Sequence, residues 1–141
     1  MEKTTNELLE ILESKKSIEA FFNEEIDELI FSSLSEYLEL LISEKKLRKS
    51  TVIKRSNLDK NYAYQIFNGN KEKPSRNKVI MLAFGMGLSV LETRKLLKVA
   101  GVSDLYARNP RDSIIIYCLN KGLGLIDANE YLNDYNLELL E

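Results

Sequence analysis

The chain has 141 residues, 44% of them hydrophobic and 30% charged, with a formal net charge of −2. That composition fits one soluble globular domain with at most a small appendage, and it speaks against global disorder. One cysteine and no histidine exclude an intramolecular disulfide, a zinc site of the Cys/His kind and a histidine general base.

Apolar runs such as Ile114–Leu119 fall far short of the roughly 20 residues that span a bilayer. No membrane association is therefore expected. The first residues are acidic and amphipathic, unlike the basic start and apolar core of a signal peptide, so cytoplasmic residence is the expectation. Cys118 sits in the apolar stretch IIIYCLN, where a small buried thiol is the reading ahead of a nucleophile. There is no phosphate-binding glycine loop, and Gly85-Met86-Gly87 is an isolated GxG at the end of an apolar segment. Neither a metal, a cofactor nor enzymatic activity is expected.

The near-neutral total hides a strong asymmetry. Residues 35–100 carry 14 Lys/Arg against 6 Asp/Glu, whereas residues 1–34 carry 3 against 9 and residues 101–141 carry 3 against 7. A basic middle lies between two acidic ends.

In chain order, Leu8, Leu9, Ile11 and Leu12, then Ile18, Phe21, Phe22, Ile26, Leu29 and Ile30, fall at three-and-four spacing. This predicts two amphipathic helices parted near residues 14–17, with acidic outer faces. The pattern restarts at Ser35, an N-cap residue type, and runs through Tyr37, Leu38, Leu41 and Ile42 to the cations at 45 and 46. A helix of about two turns follows from Lys49 and Ser50, with Val52 and Ile53 inward. Asn57 stands where a left-handed residue would end it. Asp59 caps the next helix, whose inward residues are Ala63, Ile66 and Phe67, and Gly69 stops it.

Beyond a charged loop, Ser75 opens a helix from Arg76 to Phe84 that turns Val79, Ile80, Leu82 and Ala83 inward. Ser89 opens another, through Leu91, Leu96, Leu97 and Val99, ending near Gly101. Asn109-Pro110 is a cap followed by proline in the first helical position. The all-round apolar segment Ile114–Leu119 predicts burial, and 125–135 reads as a final helix. Tyr106 and Tyr117 are expected to be packing residues. Arg108 and Arg111, flanking a capped helix start, are expected to make structural hydrogen bonds. No strand alternation or internal repeat is present, so the fold class is all-α.

Residues 38–98 resemble the lambda repressor/Cro-type (XRE-like) helix-turn-helix family. The likeness rests on Val52 and Ile53, on Asn57-Leu58-Asp59 at the turn, and on Ala63 and Ile66 in the following helix. Asn68-Gly69, Pro74-Ser75 and Gly87-Leu88-Ser89 complete it. It covers about 60 of the 141 residues. The resemblance implies a five-helix core over 35–101, an acidic helical extension over 1–34, and a C-terminal helical extension over 102–141. Tyr62 and Tyr64 make the would-be recognition helix more aromatic than the family pattern.

Carried onto this sequence, the resemblance implies that Lys60, Asn61, Tyr64 and Gln65 meet base edges in the major groove of double-stranded DNA. Lys49, Ser50, Tyr62, Asn68, Lys71, Lys73 and Arg76 would meet the sugar-phosphate backbone. The implied function is a sequence-specific transcriptional regulator of bacterial or phage type. It would act as a homodimer on half-sites about one helical turn, roughly 34 Å, apart.

Several alternatives stand open on the sequence. The C-terminal helices either form that dimer or cover the core. The acidic N-terminal helices either lie away from DNA or mask the basic face until a protein partner removes them. The rival function is a protein-interaction module (an antitoxin, inhibitor or adaptor) in which the helix-turn-helix meets protein, a use that Tyr62 and Tyr64 would suit.

Overall fold

The structure, a computed structural model, describes residues 33–141; the two amphipathic helices expected before residue 33 lie outside them. Among the described residues there are seven helices and no strand. They are α1 (Leu34–Glu44), α2 (Lys49–Ser56), α3 (Lys60–Phe67), α4 (Arg76–Met86), α5 (Val90–Val99), α6 (Pro110–Asn120) and α7 (Leu125–Asp134). The described residues are all-α, as expected.

Local chemistry sets most of the boundaries. Asp59 Oδ2 accepts from the Tyr62 N–H at 3.0 Å, and Asn109 Oδ1 accepts from the Asp112 N–H at 3.0 Å with Pro110 at the start of α6. Ser75 caps α4. Asn57 ends α2 in the left-handed region, at φ 53° and ψ 31°. Ser89 and Glu92 form a reciprocal capping box, with bonds of 2.9 and 3.1 Å. One cap is corrected. Ser33, not Ser35, accepts the Glu36 N–H and starts α1. The earlier start lets Leu34 join the core while Ser35 stays half-buried.

The helix buried all round is α4, not α6. Every residue from Val79 to Met86 is buried, because α2, α5 and α7 all pack on this one helix. Each of its fully buried large aliphatic residues contributes about 1.5–3 kcal/mol of transfer free energy. By contrast, α6 packs mainly on α5 and α7 and meets the start of α4 through polar contacts of Arg76 and Asn77. It buries Ile115, Cys118 and Leu119 and leaves Tyr117 exposed. Cys118 is the buried thiol expected, and burial pushes its pKa up, away from thiolate. The α2–α4 crossing is close. A Cβ built on Gly85 would overlap Ser56 Oγ and lie 2.6 Å from the Val52 carbonyl oxygen.

Residues 33–141 form one compact unit, so the segment expected as a C-terminal extension shares the core. Ile115, Leu119, Leu125, Ala128, Leu132 and Leu140 are all buried. The last residues are pinned by polar contacts. Arg111 donates to the carbonyls of Glu138 (2.7 Å) and Leu139 (3.1 Å) and to Asn77 Oδ1 (3.0 Å). Asn129 exchanges two hydrogen bonds with the Leu140 backbone, at 2.8 and 3.0 Å. Arg111 thus plays the structural part expected of it. Leu91, on α5, is 70% exposed, and Tyr106 and Tyr117 are exposed where packing was expected. No helix among the described residues is long and apolar enough to cross a membrane.

Candidate functional site

The α2–α3 pair is two eight-residue helices joined through Asn57, Leu58 and Asp59. Leu58 is buried and plugs the turn into the core. On α3, Ala63, Ile66 and Phe67 are buried against α1, which fixes the rotation of the helix. That rotation leaves Lys60, Asn61, Tyr64 and Gln65 exposed. All four residues assigned to base contact therefore face solvent, as the three-and-four spacing requires.

The residues assigned to backbone contact divide into two groups. Ser50, Lys71 and Lys73 are exposed. The loop carrying the two lysines folds back on α3, since the Lys71 N–H donates to the Gln65 carbonyl at 2.9 Å. Ser50 lies in the first turn of α2, whose N-terminus no side chain caps. Tyr62 is half-buried, with Lys78 Nζ 5.9 Å from its ring centroid. Asn68 is exposed, but its Oδ1 accepts the Asn70 N–H at 3.0 Å; it shapes the turn after α3.

Two of the expected backbone contacts are already engaged inside the fold. Lys49 pairs with Glu39 and lies over the Phe67 ring, 5.6 Å from its centroid. Arg76 is turned inward. Its Nε donates to the Ser103 carbonyl at 2.9 Å, and its Nη2 donates to the Asp104 carbonyl at 2.8 Å and to Asp112 Oδ2 at 2.9 Å. Arg76, expected to meet phosphate, thus has its guanidinium engaged within the chain. Its partners lie 27 to 36 residues downstream, where no local pattern could announce them.

Other cations of the basic middle are engaged as well. Lys45 pairs with Glu92 at 2.9 Å and Arg94 with Asp104 at 2.9 Å. Once these are set aside, the exposed cationic side chains without an ion-pair partner among the described residues are Lys46, Arg48, Lys54, Arg55, Lys60, Lys71 and Lys73, together with Arg108 and Lys121. Seven of these nine lie between residues 46 and 73, on α2, α3 and their flanking loops. The same stretch holds only two acids, Asp59 and Glu72, and the first is occupied as a cap.

Lys54 and Arg55 were missed as candidate contacts. The signal was present, because the buried residues Val52, Ile53 and Ser56 leave positions 54 and 55 on the opposite face of α2. Among the described residues, no group of three Cys, Asp or Glu is placed to hold a metal ion. No protein-family model, curated protein or solved structure matches this chain.

Proposed function

We propose that the chain is a sequence-specific, double-stranded DNA-binding transcriptional regulator in which α2 and α3 act as a helix-turn-helix. In this reading α3 enters the major groove. Lys60 donates to guanine O6/N7, Asn61 and Gln65 pair with adenine, and Tyr64 meets a thymine methyl or a sugar. Lys71 and Lys73 approach phosphate on one flank, and the open N-terminus of α2 with Ser50 approaches it on the other.

The observation that carries the reading is the concentration of uncommitted exposed cations between Lys46 and Lys73, around a helix whose outward residues are all polar or amphipathic. In a chain of net charge −2, such a local excess matches what a polyphosphate duplex attracts. The decisive experiment is binding of the full chain to bulk genomic duplex at low salt, repeated as salt rises. Steeply salt-dependent binding, followed by enrichment of one sequence from a random pool, supports the reading. Absence of binding at low salt overturns it.

A second reading keeps one observation in its favour. Tyr64 is an exposed aromatic at the centre of the outward face of α3, and aromatics are enriched at protein interfaces. A protein-interaction module using the same two helices would bind no duplex at low salt, so the same titration separates the two.

A further inference from the structure

We propose that Lys78 is the cation through which α4 meets the duplex. Its ammonium and the Tyr62 hydroxyl together hold one phosphate at the edge of the groove that α3 enters. This assignment rests on the DNA-binding reading above. Lys78 is not among the contacts that the helix-turn-helix resemblance implies.

The start of α4 is divided between two directions. Arg76 holds the Ser103 and Asp104 carbonyls and the Asp112 carboxylate, and Asn77 Oδ1 accepts from Arg111 at 3.0 Å. Both residues are therefore turned toward α6 and the loop before it. Lys78 follows Arg76 by two residues, about 200° round the helix, and is turned the other way, to α3. Its Nζ lies 5.9 Å from the centroid of the Tyr62 ring. No carboxylate among the described residues pairs with it. A carboxylate partner would have neutralised the charge. A ring face attracts the ammonium and leaves its N–H donors to other acceptors.

Tyr62 places that charge at the edge of the candidate interface. On α3, Asn61 and Gln65 form the crest of the outward face, and both are exposed. At about 100° per residue, Tyr62 lies about 80° to one side of the line between them, and it is half-buried. A helix with its side chains is about 10–12 Å across, and the major groove is about 12 Å wide. With the crest at the base edges, a group on the flank meets the groove wall, which is sugar and phosphate. Gln65, one turn after Tyr62, accepts the Lys71 N–H at its carbonyl, at 2.9 Å. Tyr62 and Lys78 thus continue along α3 the cationic edge that the loop of Lys71 and Lys73 begins. A phenol donates one hydrogen bond and an ammonium up to three, so one phosphate can accept from both. The ring contact keeps the two donors side by side before DNA arrives.

The test is the affinity of the full chain for sheared genomic duplex at several salt concentrations, with a thermal melt of each variant. Lys78→Met keeps an apolar stem against the ring and removes the charge, so it should lower the salt slope by about 1. Lys78→Arg should keep the wild-type slope. Tyr62→Phe keeps the ring under the cation and removes only the hydroxyl. It should weaken binding about tenfold on every sequence and leave the slope unchanged. Because the two groups share one phosphate, the double variant should lose less than the product of the single losses. A packing role alone would move the melting temperature and leave the slope as it is. Steep salt dependence that Lys71→Ala reduces and Lys78→Met does not overturns the assignment and leaves the DNA reading standing. A Tyr62→Phe variant that binds as tightly as the wild type overturns the shared phosphate in the same way. A wild-type chain that ignores duplex at low salt removes the assignment and the DNA reading together.

Discussion

Arg76, at the first position of α4, places Nη2 2.9 Å from Oδ2 of Asp112 in α6, 36 residues away. The carboxylate is 4% exposed and also accepts the Tyr106 N–H at 3.0 Å. The same guanidinium holds the carbonyls of Ser103 and Asp104. One ion pair therefore ties the loop between α5 and α6 to the start of the central helix, joining the C-terminal helices to the segment that carries the candidate site.

Breaking that pair from either side should destabilise the fold. Asp112→Ala leaves a half-buried guanidinium and a backbone N–H without their acceptor, and an expected loss of about 2–4 kcal/mol follows. Arg76→Ala should cost a similar amount by stranding the buried carboxylate. Denaturant unfolding measures both. If Arg76 acts on the fold and not on phosphate, Arg76→Ala protein that is still folded at low temperature should bind duplex with an unchanged salt slope. A reduced slope with unchanged stability would restore its assignment to the DNA backbone.

The α2–α4 crossing supplies a second, independent test. Gly85→Ala drives a methyl into Ser56 Oγ and toward the Val52 carbonyl. Overpacking of this kind costs about 1–3 kcal/mol and occasionally more, and the upper part of that range is expected because one obstacle is backbone. Ser56 Oγ donates to the Val52 carbonyl at 2.7 Å, so Ser56→Ala alone should cost only about 0.5–1.5 kcal/mol. Combined with Gly85→Ala it removes one of the two clashes. The double variant should be more stable than the sum of the single losses predicts, as thermal or denaturant melts would register.

The contrast between those residues explains how much the sequence disclosed. Asn57, Asp59, Ser75 and Asn109-Pro110 act through neighbours a few residues away, so their roles as stops and caps could be read directly. The buried faces of α2 and α3 follow from helical spacing in the same way. Arg76 and Gly85 act through partners far along the chain, and nothing beside them in the sequence marks either the ion pair or the close crossing. The apolar runs at 79–84 and 114–119 look alike as sequence. Only the packing decides which is buried all round: α4 lies under α2, α5 and α7, whereas α6 packs mainly on α5 and α7. At the candidate site, exposure of the α3 face was legible, whereas which cations remain uncommitted depended on long-range pairing.

Stability should fall on the acid side through two carboxylates. For Glu92, burial pushes the pKa up, but the Ser89 N–H and the Lys45 ammonium outweigh it and hold the group below its ordinary value. For Asp104, burial is likewise outweighed by Arg94 and the Leu105 N–H. A folded pKa below the unfolded one means the unfolded chain binds more protons. The stabilisation is therefore present above the ordinary carboxylate range, at roughly pH 4, and is lost as pH falls through the folded values. Unfolding free energies measured from neutral pH downward should decline there. Glu92→Gln and Asp104→Asn should each start lower at neutral pH and decline less steeply. A pH dependence unchanged in both variants would show that other groups control acid unfolding.

The site itself yields the prediction that separates reading from gripping. Lys60 and Gln65 are exposed on the outward face of α3. If that face lies in the major groove, Lys60→Ala or Gln65→Ala should cost about 1–3 kcal/mol on the preferred sequence and relax selection at one base position. Lys71 and Lys73 sit in the loop tied back onto α3 through the Gln65 carbonyl, so a duplex seated there would meet them through phosphate. Lys71→Ala and Lys73→Ala should weaken every sequence alike, and each cation removed from a phosphate should lower the salt slope by about 1. The two classes are distinguished by measuring affinity for preferred and scrambled duplexes at several salt concentrations. Because the four side chains make no ion pair among the described residues, none of these substitutions should shift the thermal midpoint appreciably. Weaker binding without a change in melting thus reports contact with DNA, and retention of binding in all four variants would remove this face from the interface.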